Sequence, residues 1–358
     1  MNIPPLPVRF RPIFKPRPWG GRQLAALLGK PLLGDGPIGE SWELVSLSGE
    51  ESVVADGPLA GQTISELFAV WGRDLLGGAT PVDGRFPLLI KLLDARENLS
   101  MQVHPRPGGA AATSGAAIKH ESWFVLHAEP GAKLYLGLRP GVQRADVAHA
   151  ANSPALAALF NEVSVRRGDC FYLPSGLPHA IGGGIVVAEV QTPSDVTYRL
   201  YDWGRVGLDG KPRELHVAQA LDNLLFDVAM DEIVQPRSHV AGPWATLTRL
   251  VRCDSFHIDR VRFSEGLRQT FPHAEPIVWI VIAGSGVMRR KQYVQPFAIG
   301  DVLLIPADSR ETLIEALADC DVLEVRLPVV STLAGIPHPP REQPTGDTVS
   351  LTVRGSRG

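Results

Sequence analysis

The sequence has little that would serve a membrane, a nucleic acid or an oxidising compartment. No apolar run approaches the ~18 residues that suggest a membrane span. The stretch Met1–Pro18 is rich in proline and arginine and lacks the apolar core of a secretory signal, so a cytoplasmic location is expected. Cysteine is scarce: Cys170, Cys253 and Cys320 are odd in number and widely spaced. They make neither a disulfide framework nor a zinc knuckle, and they suit buried thiols in a reducing cytosol. Cationic excess is missing too, because 35 Lys and Arg against 38 Asp and Glu leave a net charge of -3. Such a chain has no field for nucleic acid or anionic lipid, and an anionic small molecule would be met by a few local cations. What is plentiful is hydrophobic residue content, 44% of 358 residues, enough for a real core. The 36 glycines and 31 prolines suit a chain of many strands and turns.

Patterning gives mostly strands with a few helices. Helices are expected over Gly21–Leu28, over Thr63–Leu76 with a Thr63/Glu66 capping box, over Ala145–Phe160 and over Leu215–Phe226. Strands are expected at Phe86–Leu93, Met101–His104, Glu121–Leu126, Lys133–Leu138, Cys170–Leu173, Gly184–Gln191 and Thr197–Tyr201. A second all-β segment begins beyond Pro236. It contains an echo of the first: Gly168-Asp169-Cys170-Phe171-Tyr172-Leu173-Pro174 against Gly300-Asp301-Val302-Leu303-Leu304-Ile305-Pro306. Two copies of one β-barrel unit explain both the length and the echo. The expected division is 1–236 for a first barrel with helical elements, 237–327 for a second, and 328–358 for a C-terminal extension rich in Pro, Gly, Ser and Thr.

Side chains two apart on a strand share a face, which puts Ser100, Gln102 and His104 on one side. Glu121 opens a later strand with Trp123 and Val125 on its own face, and His179 follows a proline–glycine turn. Two imidazoles, a carboxylate and an amide carbonyl suit zinc or another borderline divalent ion. Any one histidine alone would more simply be a satisfied polar residue. The spacing Gly168-x5-Pro174-x-Gly176-x2-His179, however, resembles the second signature of the cupin barrel. In the second segment Pro306-Ala307-Asp308-Ser309-Arg310 replaces the glycine and histidine, so one metal site per chain is expected. His120 and His127 are not expected to be ligands; His120 alternates with Glu121 and faces the other way.

The motifs together resemble the type I phosphomannose isomerase family in its shorter bacterial form. The resemblance rests on Trp19-Gly20-Gly21, on Gly39-Glu40-Ser41-Trp42-Glu43, and on Glu97-Asn98-Leu99-Ser100-Met101-Gln102-Val103-His104-Pro105. It continues through Lys119-His120-Glu121-Ser122-Trp123, Pro174–Ile181, Ser194-Asp195-Val196-Thr197-Tyr198-Arg199-Leu200-Tyr201-Asp202 and Pro212-Arg213-Glu214-Leu215-His216. It implies a mainly β fold of two cupin-type jelly-roll barrels with short helical insertions. The implied activity is interconversion of mannose 6-phosphate and fructose 6-phosphate through an enediol. By the same resemblance Gln102, His104, Glu121 and His179 hold one Zn²⁺, Arg199 is the active-site arginine, Lys119 lines the pocket, and Ser100 and Lys91 attend the substrate phosphate. Lys119, Glu189 and Asp195 are candidates for carrying the proton, and the sequence does not choose among them.

Each of these residues has a plainer reading: Lys91 a charge snorkelling to its strand end, Arg199 a strand cation, Asp195 a turn cap. Some features depart from the family. Arg106–Ala112 lacks acidic residues, Ile118 replaces a polar residue, and the tail extends further. The expected partner is a small sugar phosphate, with no nucleic acid or membrane, in a monomer or homodimer. Two alternatives compete, a sugar-phosphate-binding cupin without activity and an iron-dependent cupin oxygenase. The combined set of Lys91, Ser100, Lys119 and Arg199 beside four ligands favours the isomerase.

Overall fold

A computed structural model describes residues 3–108, 118–270 and 275–328. The strands are antiparallel and form stacked sheets. A five-stranded sheet orders Phe160–Ser164, Lys133–Leu138, His179–Ile181, Met101–Val103 and Tyr198–Tyr201. Facing it, a six-stranded sheet orders Cys170–Leu173, Glu121–Ala128, Ile185–Gln191, Leu89–Ala95, Ile13–Gly21 and Ile38–Leu44. A seven-stranded sheet packs on the back of the six-stranded one, and a four-stranded sheet covers its far face.

Strand period explains the layering. In Glu121–Ala128 and Ile185–Gln191 one set of side chains (Trp123, Val125, Ile185, Val187) joins Leu134, Leu136 and Ile181 of the five-stranded sheet. The alternate set (Phe124, Leu126, Val186, Ala188) joins Ile258, Ile280 and Leu323 of the seven-stranded sheet. A strand buried on both faces reads as a continuous apolar run, and Ile185–Gln191 is buried throughout. Each fully buried Leu, Val or Phe in these layers contributes about 1.5–3 kcal/mol relative to exposure.

The echo in the sequence is an echo in hydrogen bonding. Asp169 O accepts from Val125 N at 2.9 Å, and Asp301 O accepts from Val281 N at 2.9 Å. The two carboxylates close the same turn, Arg166 N donating to Asp169 Oδ2 at 2.9 Å and Ala298 N to Asp301 Oδ2 at 2.8 Å. Trp123 Nε1 donates to Glu189 across its sheet at 2.9 Å, and Trp279 Nε1 donates to Glu324 in the matching place at 3.1 Å. Register then places Ile277, opposite Ile305, where the first copy has Glu121 opposite Leu173.

Several expectations are corrected. Among the described residues no sheet closes into a barrel; the sheets face one another as open layers. The helix expected over Ala145–Phe160 stops after Arg144–Ala150, passes a 3₁₀ turn at Pro154–Leu159 and becomes the strand Phe160–Ser164. Pro154 has no N–H to continue the ladder, and Asn152 turns left-handed with φ 58. The helix over Thr63–Leu76 has its capping box, but it divides at Gly72 into Ile64–Trp71 and Arg73–Leu76. Leu215–Phe226 shortens to Val217–Asn223, after which Leu225 N donates to Gly176 O at 2.8 Å. The strand Val8–Arg9 enters the seven-stranded sheet beside Val302–Ile305, so the N-terminal residues lie with the second β segment. No helix among the described residues is long and apolar enough to cross a membrane. Residues 329–358 of the expected extension, and 109–117 of the loop before Ile118, lie outside the described residues.

Trp19-Gly20-Gly21 is a packing device. A Cβ on Gly20 would overlap the Gly39 backbone, where the strands Ile13–Gly21 and Ile38–Leu44 approach. Gly20→Ala is expected to destabilise by about 2–4 kcal/mol through forced strand separation. Gly36→Ala, with nothing within 4 Å, is expected to be near neutral. Urea midpoints of the two variants check this, and equal midpoints would refute the packing argument.

Candidate active site and metal centre

The two facing sheets of the first unit bring together three side chains able to ligate a metal. His179 opens the strand His179–Ile181 and pairs with Gln102, while His104 follows directly after Met101–Val103. Glu121 comes from the opposite sheet, at the start of Glu121–Ala128. His104, Glu121 and His179 offer ligand atoms that all lie within 4.8 Å of one another, and all three are buried. His104 Nε2 is 3.4 Å from Glu121 Oε2, and His179 Nε2 is 3.1 Å from Glu121 Oε1.

Backbone carbonyls set the tautomers. His104 Nδ1 donates to Val196 O at 2.8 Å, and His179 Nδ1 donates to Leu177 O at 2.8 Å. Each proton is thereby held on the outer nitrogen, which leaves both Nε2 atoms bare and aimed at Glu121. Trp123 packs edge-on against His179 with ring centroids 5.2 Å apart, fixing its plane. Burial holds His179 neutral, its pKa pushed down to about 3, and lowers that of His104 as well. Burial would raise the pKa of Glu121, but the Lys119 ammonium beside it opposes this most strongly, and the pKa stays well below the carboxylate range. All three are therefore in the deprotonated form that a metal requires.

Unmet polar atoms mark the centre of the cluster. His104 Nε2 and both Glu121 oxygens are buried without a hydrogen-bond partner. Lys119 Nζ approaches Glu121 Oε2 at 2.8 Å as an ion pair, not as a directed hydrogen bond. Orphaned buried acceptors are costly, and a divalent cation among them would satisfy all three at once. Gln102 lies alongside, with Nε2 3.4 Å from His179 Nε2 and Oε1 accepting from Ser100 Oγ at 3.0 Å. A half-turn of the amide presents Oε1 to the cluster instead, adding a fourth donor.

The cluster lies beside a cavity of ≈ 570 Å³ lined by Arg17, Trp19, Glu40, Lys91, Ser100, Gln102, Lys119, Trp123, Glu189, Asp195, Arg199 and Arg213, among others. Lys91 does not snorkel to its strand end. It is 4% exposed, 3.1 Å from Asp195, 3.7 Å from Glu189 and 4.5 Å above the Trp42 ring. Burial would lower its pKa, but Glu189, Glu40 and Asp195 together raise it. Arg199 stands differently. Its Nη1 donates to Glu214 O at 2.8 Å and its Nε to Ser100 Oγ at 3.3 Å, and among the described residues no carboxylate pairs with it. Burial and the nearby Arg213 lower its pKa, the sign of a crowded positive site. Asp202, which pairs with Arg205 at 2.7 Å and also with Arg213, anchors that crowd.

Sequence reasoning quoted Glu40 and Trp42 within a motif but gave them no role. They share a face, and Glu40 accepts from Trp42 Nε1 and from Arg17 Nε, both at 2.7 Å. Arg17 was not singled out at all. It lies across Gly39, where a Cβ would sit 2.6 Å from its own. The period-2 spacing of Glu40 and Trp42 could have flagged the first two; nothing local signals Arg17. His120 is turned away as expected, its ring taken up by Tyr172 at 3.0 Å. His127 lines a separate cleft with Asp94 and Gly184.

A buried two-histidine, one-glutamate cluster between facing β-sheets, beside a cavity lined by charges of both signs, has the make-up of a metal site in an enzyme. Comparison with known proteins narrows the class. The family described as phosphomannose isomerase type I, catalytic domain, matches residues 8–124. The chain is 35% identical over 320 residues to mannose-6-phosphate isomerase ManA of Bacillus subtilis (strain 168), covering 88% of this chain and 98% of that one. It is 33% identical over 305 residues to mannose-6-phosphate isomerase of Streptococcus mutans (serotype c, strain ATCC 700610 / UA159), covering 80% and 88%. The crystal structure of the Bacillus subtilis mannose 6-phosphate isomerase superposes with a TM-score of 0.80 at 29% identity, covering 89% of this chain and 99% of that one. The chain belongs to the type I phosphomannose isomerase family.

The Glu40 network gives a pH prediction. Burial would raise the pKa of Glu40, but Lys91, Arg17 and Trp42 outweigh it and hold it near 2, against an ordinary 4.5. The unfolded chain therefore binds the proton first. Stability from this group is full above about pH 4.5 and is lost as pH falls toward about 2, roughly 3 kcal/mol in all. Urea unfolding across that range should show wild type and Glu40→Gln converging as pH drops. A constant difference between them would contradict the network's role.

Proposed function

We propose that the chain is a zinc-dependent mannose-6-phosphate isomerase, interconverting mannose 6-phosphate and fructose 6-phosphate by moving a proton between C1 and C2 through an enediol. The observation that carries this reading is the juxtaposition of an orphaned His104–Glu121–His179 cluster with an arginine, Arg199, that forms no ion pair with a carboxylate among the described residues. Gln102, His104, Glu121 and His179 would hold one divalent ion, whose chemistry when bound is that of a Lewis acid toward carbonyl and hydroxyl oxygens of the sugar. The donor set, borderline nitrogen with hard oxygen, suits zinc.

The chain's own groups divide the remaining work. Ser100 is hydrogen-bonded to Arg199 rather than to Lys91, so Ser100 and Arg199 act together on an anionic oxygen, phosphate or enediolate. Lys91 is already compensated by Asp195 and Glu189, which supports a part in orienting those carboxylates beside any contact with substrate phosphate. For the proton carrier, Lys119 has the strongest support. Its Nζ is 2.8 Å from a ligand oxygen, in a wall 4% exposed, next to where the reacting carbons would lie. Glu189 is held by Trp123 and Lys91, and Asp195 lies at the exposed rim.

We also read the stacked sheets as two cupin-type jelly rolls, the catalytic one within 1–236 and one without a metal site over 237–327, whose seven-stranded sheet the strand Val8–Arg9 joins. The free thiols of Cys170, Cys253 and Cys320 suit the reducing cytosol as the place of work.

Purified protein should form fructose 6-phosphate from mannose 6-phosphate in a coupled assay, lose that turnover on chelation and regain it with zinc. Fully metallated protein without turnover would sink the reading. Arg199→Ala should lower kcat by about 10²–10³-fold with metal content still stoichiometric. Loss of the metal instead would take Arg199 out of the chemistry.

A further inference from the structure

We propose that Thr192 is the positioning residue for Lys119, and that its hydroxyl straps the lysine's backbone to the sheet that carries the metal ligands. The proposal rests on the isomerase reading of the site. Lys119 lies before the strand Glu121–Ala128 begins, so the strand ladder does not hold it. Thr192 holds it from both sides. Its Oγ1 donates to Ile118 O at 2.9 Å and accepts from His120 N at 3.2 Å, while its own N–H donates to His120 O at 3.0 Å. The residues immediately before and after Lys119 are thus tied to one side chain.

Thr192 is itself fixed. Its carbonyl accepts from Gln191 Nε2 at 3.1 Å and from Ser194 N at 2.8 Å, and Gln191 sits opposite Glu121 in the ladder. Lys119 and its ion-pair partner Glu121 are therefore referred to the same point on the neighbouring strand. A hydroxyl suits the task because one atom both donates and accepts, and β-branching limits its rotamers. A second tie acts on the same segment. The His120 ring accepts from Tyr172 Oη at 3.0 Å and from Ser175 N at 3.4 Å, which stops the segment rotating about the threonine strap.

A catalytic amine displaced by about 1 Å loses on the order of 10²-fold in rate, whereas ligands on the strand itself are unaffected. Thr192→Val keeps the shape and removes both hydroxyl bonds; Thr192→Ser keeps the hydroxyl. In the zinc-loaded, full-length protein, Thr192→Val should lower kcat about ten- to hundredfold with KM and zinc content near wild type, and Thr192→Ser should recover most of the rate. Amide hydrogen exchange at His120 should rise in the valine variant and not in the serine variant. Wild-type kcat in Thr192→Val, equal impairment of both variants, or a loss that tracks zinc content or KM would each overturn the role. Wild type without turnover would overturn the isomerase reading and this role with it. Wild-type turnover in Thr192→Val, beside an active wild type, overturns the role alone.

Discussion

Glu121 is a carboxylate with no access to water, and its negative charge has to be met inside the protein. A lysine and two neutral imidazoles surround it, yet neither of its oxygens receives a directed hydrogen bond. A buried charge in that condition is expensive unless a cation completes it. The rest of the first unit follows from the requirement. Two sheets must face each other so that Glu121 from one meets His104 and His179 from the other. The outer imidazole nitrogens must find carbonyls, and Val196 and Leu177 provide them.

Around this centre the cavity alternates in sign. Lys91 is enclosed by Glu40, Glu189 and Asp195, and Glu40 in turn by Arg17 and Trp42. Paired in this way, the charges fix geometry without leaving much free field. Arg199 breaks the alternation, since its partners are a carbonyl and a hydroxyl. Among the described residues Arg199 is thus a guanidinium without an ion-pair partner in a wall of otherwise paired charges.

The candidate metal donors are legible in the sequence because strand period and a proline–glycine turn are local signals. Gln102 and His104 two apart, Glu121 opening an apolar strand, and His179 after Pro174–Pro178 each declare themselves within a few residues. The family resemblance supplied Arg199, Lys119 and Ser100. What the sequence hid is set by pairings across long separations. Arg17 reaches Glu40 because Gly39 leaves room, Lys91 meets Asp195 across 104 residues, and Thr192 holds Ile118 across 74. Periodicity carries no information about such partners. The misjudged helix at Ala145–Phe160 failed for a different reason. Its alanine and leucine content favours helix, but a proline at position 154 and a left-handed Asn152 outweigh propensity.

The repeated turn gives this molecule an internal comparison of its own. Both halves keep the glycine–aspartate turn and a tryptophan bonded to a glutamate on the neighbouring strand. The half without counterparts of His104 and His179 has Ile277 in the place of Glu121, and Asp259 opposite Glu324 where Lys91 stands opposite Glu189. What survives in both halves answers to the demands of the sheet alone. What only one half carries lies at the candidate metal site and the cavity beside it. By that criterion the Trp123–Glu189 bond belongs to the shared scaffold, and Lys91 and Glu121 mark the half built around the candidate centre.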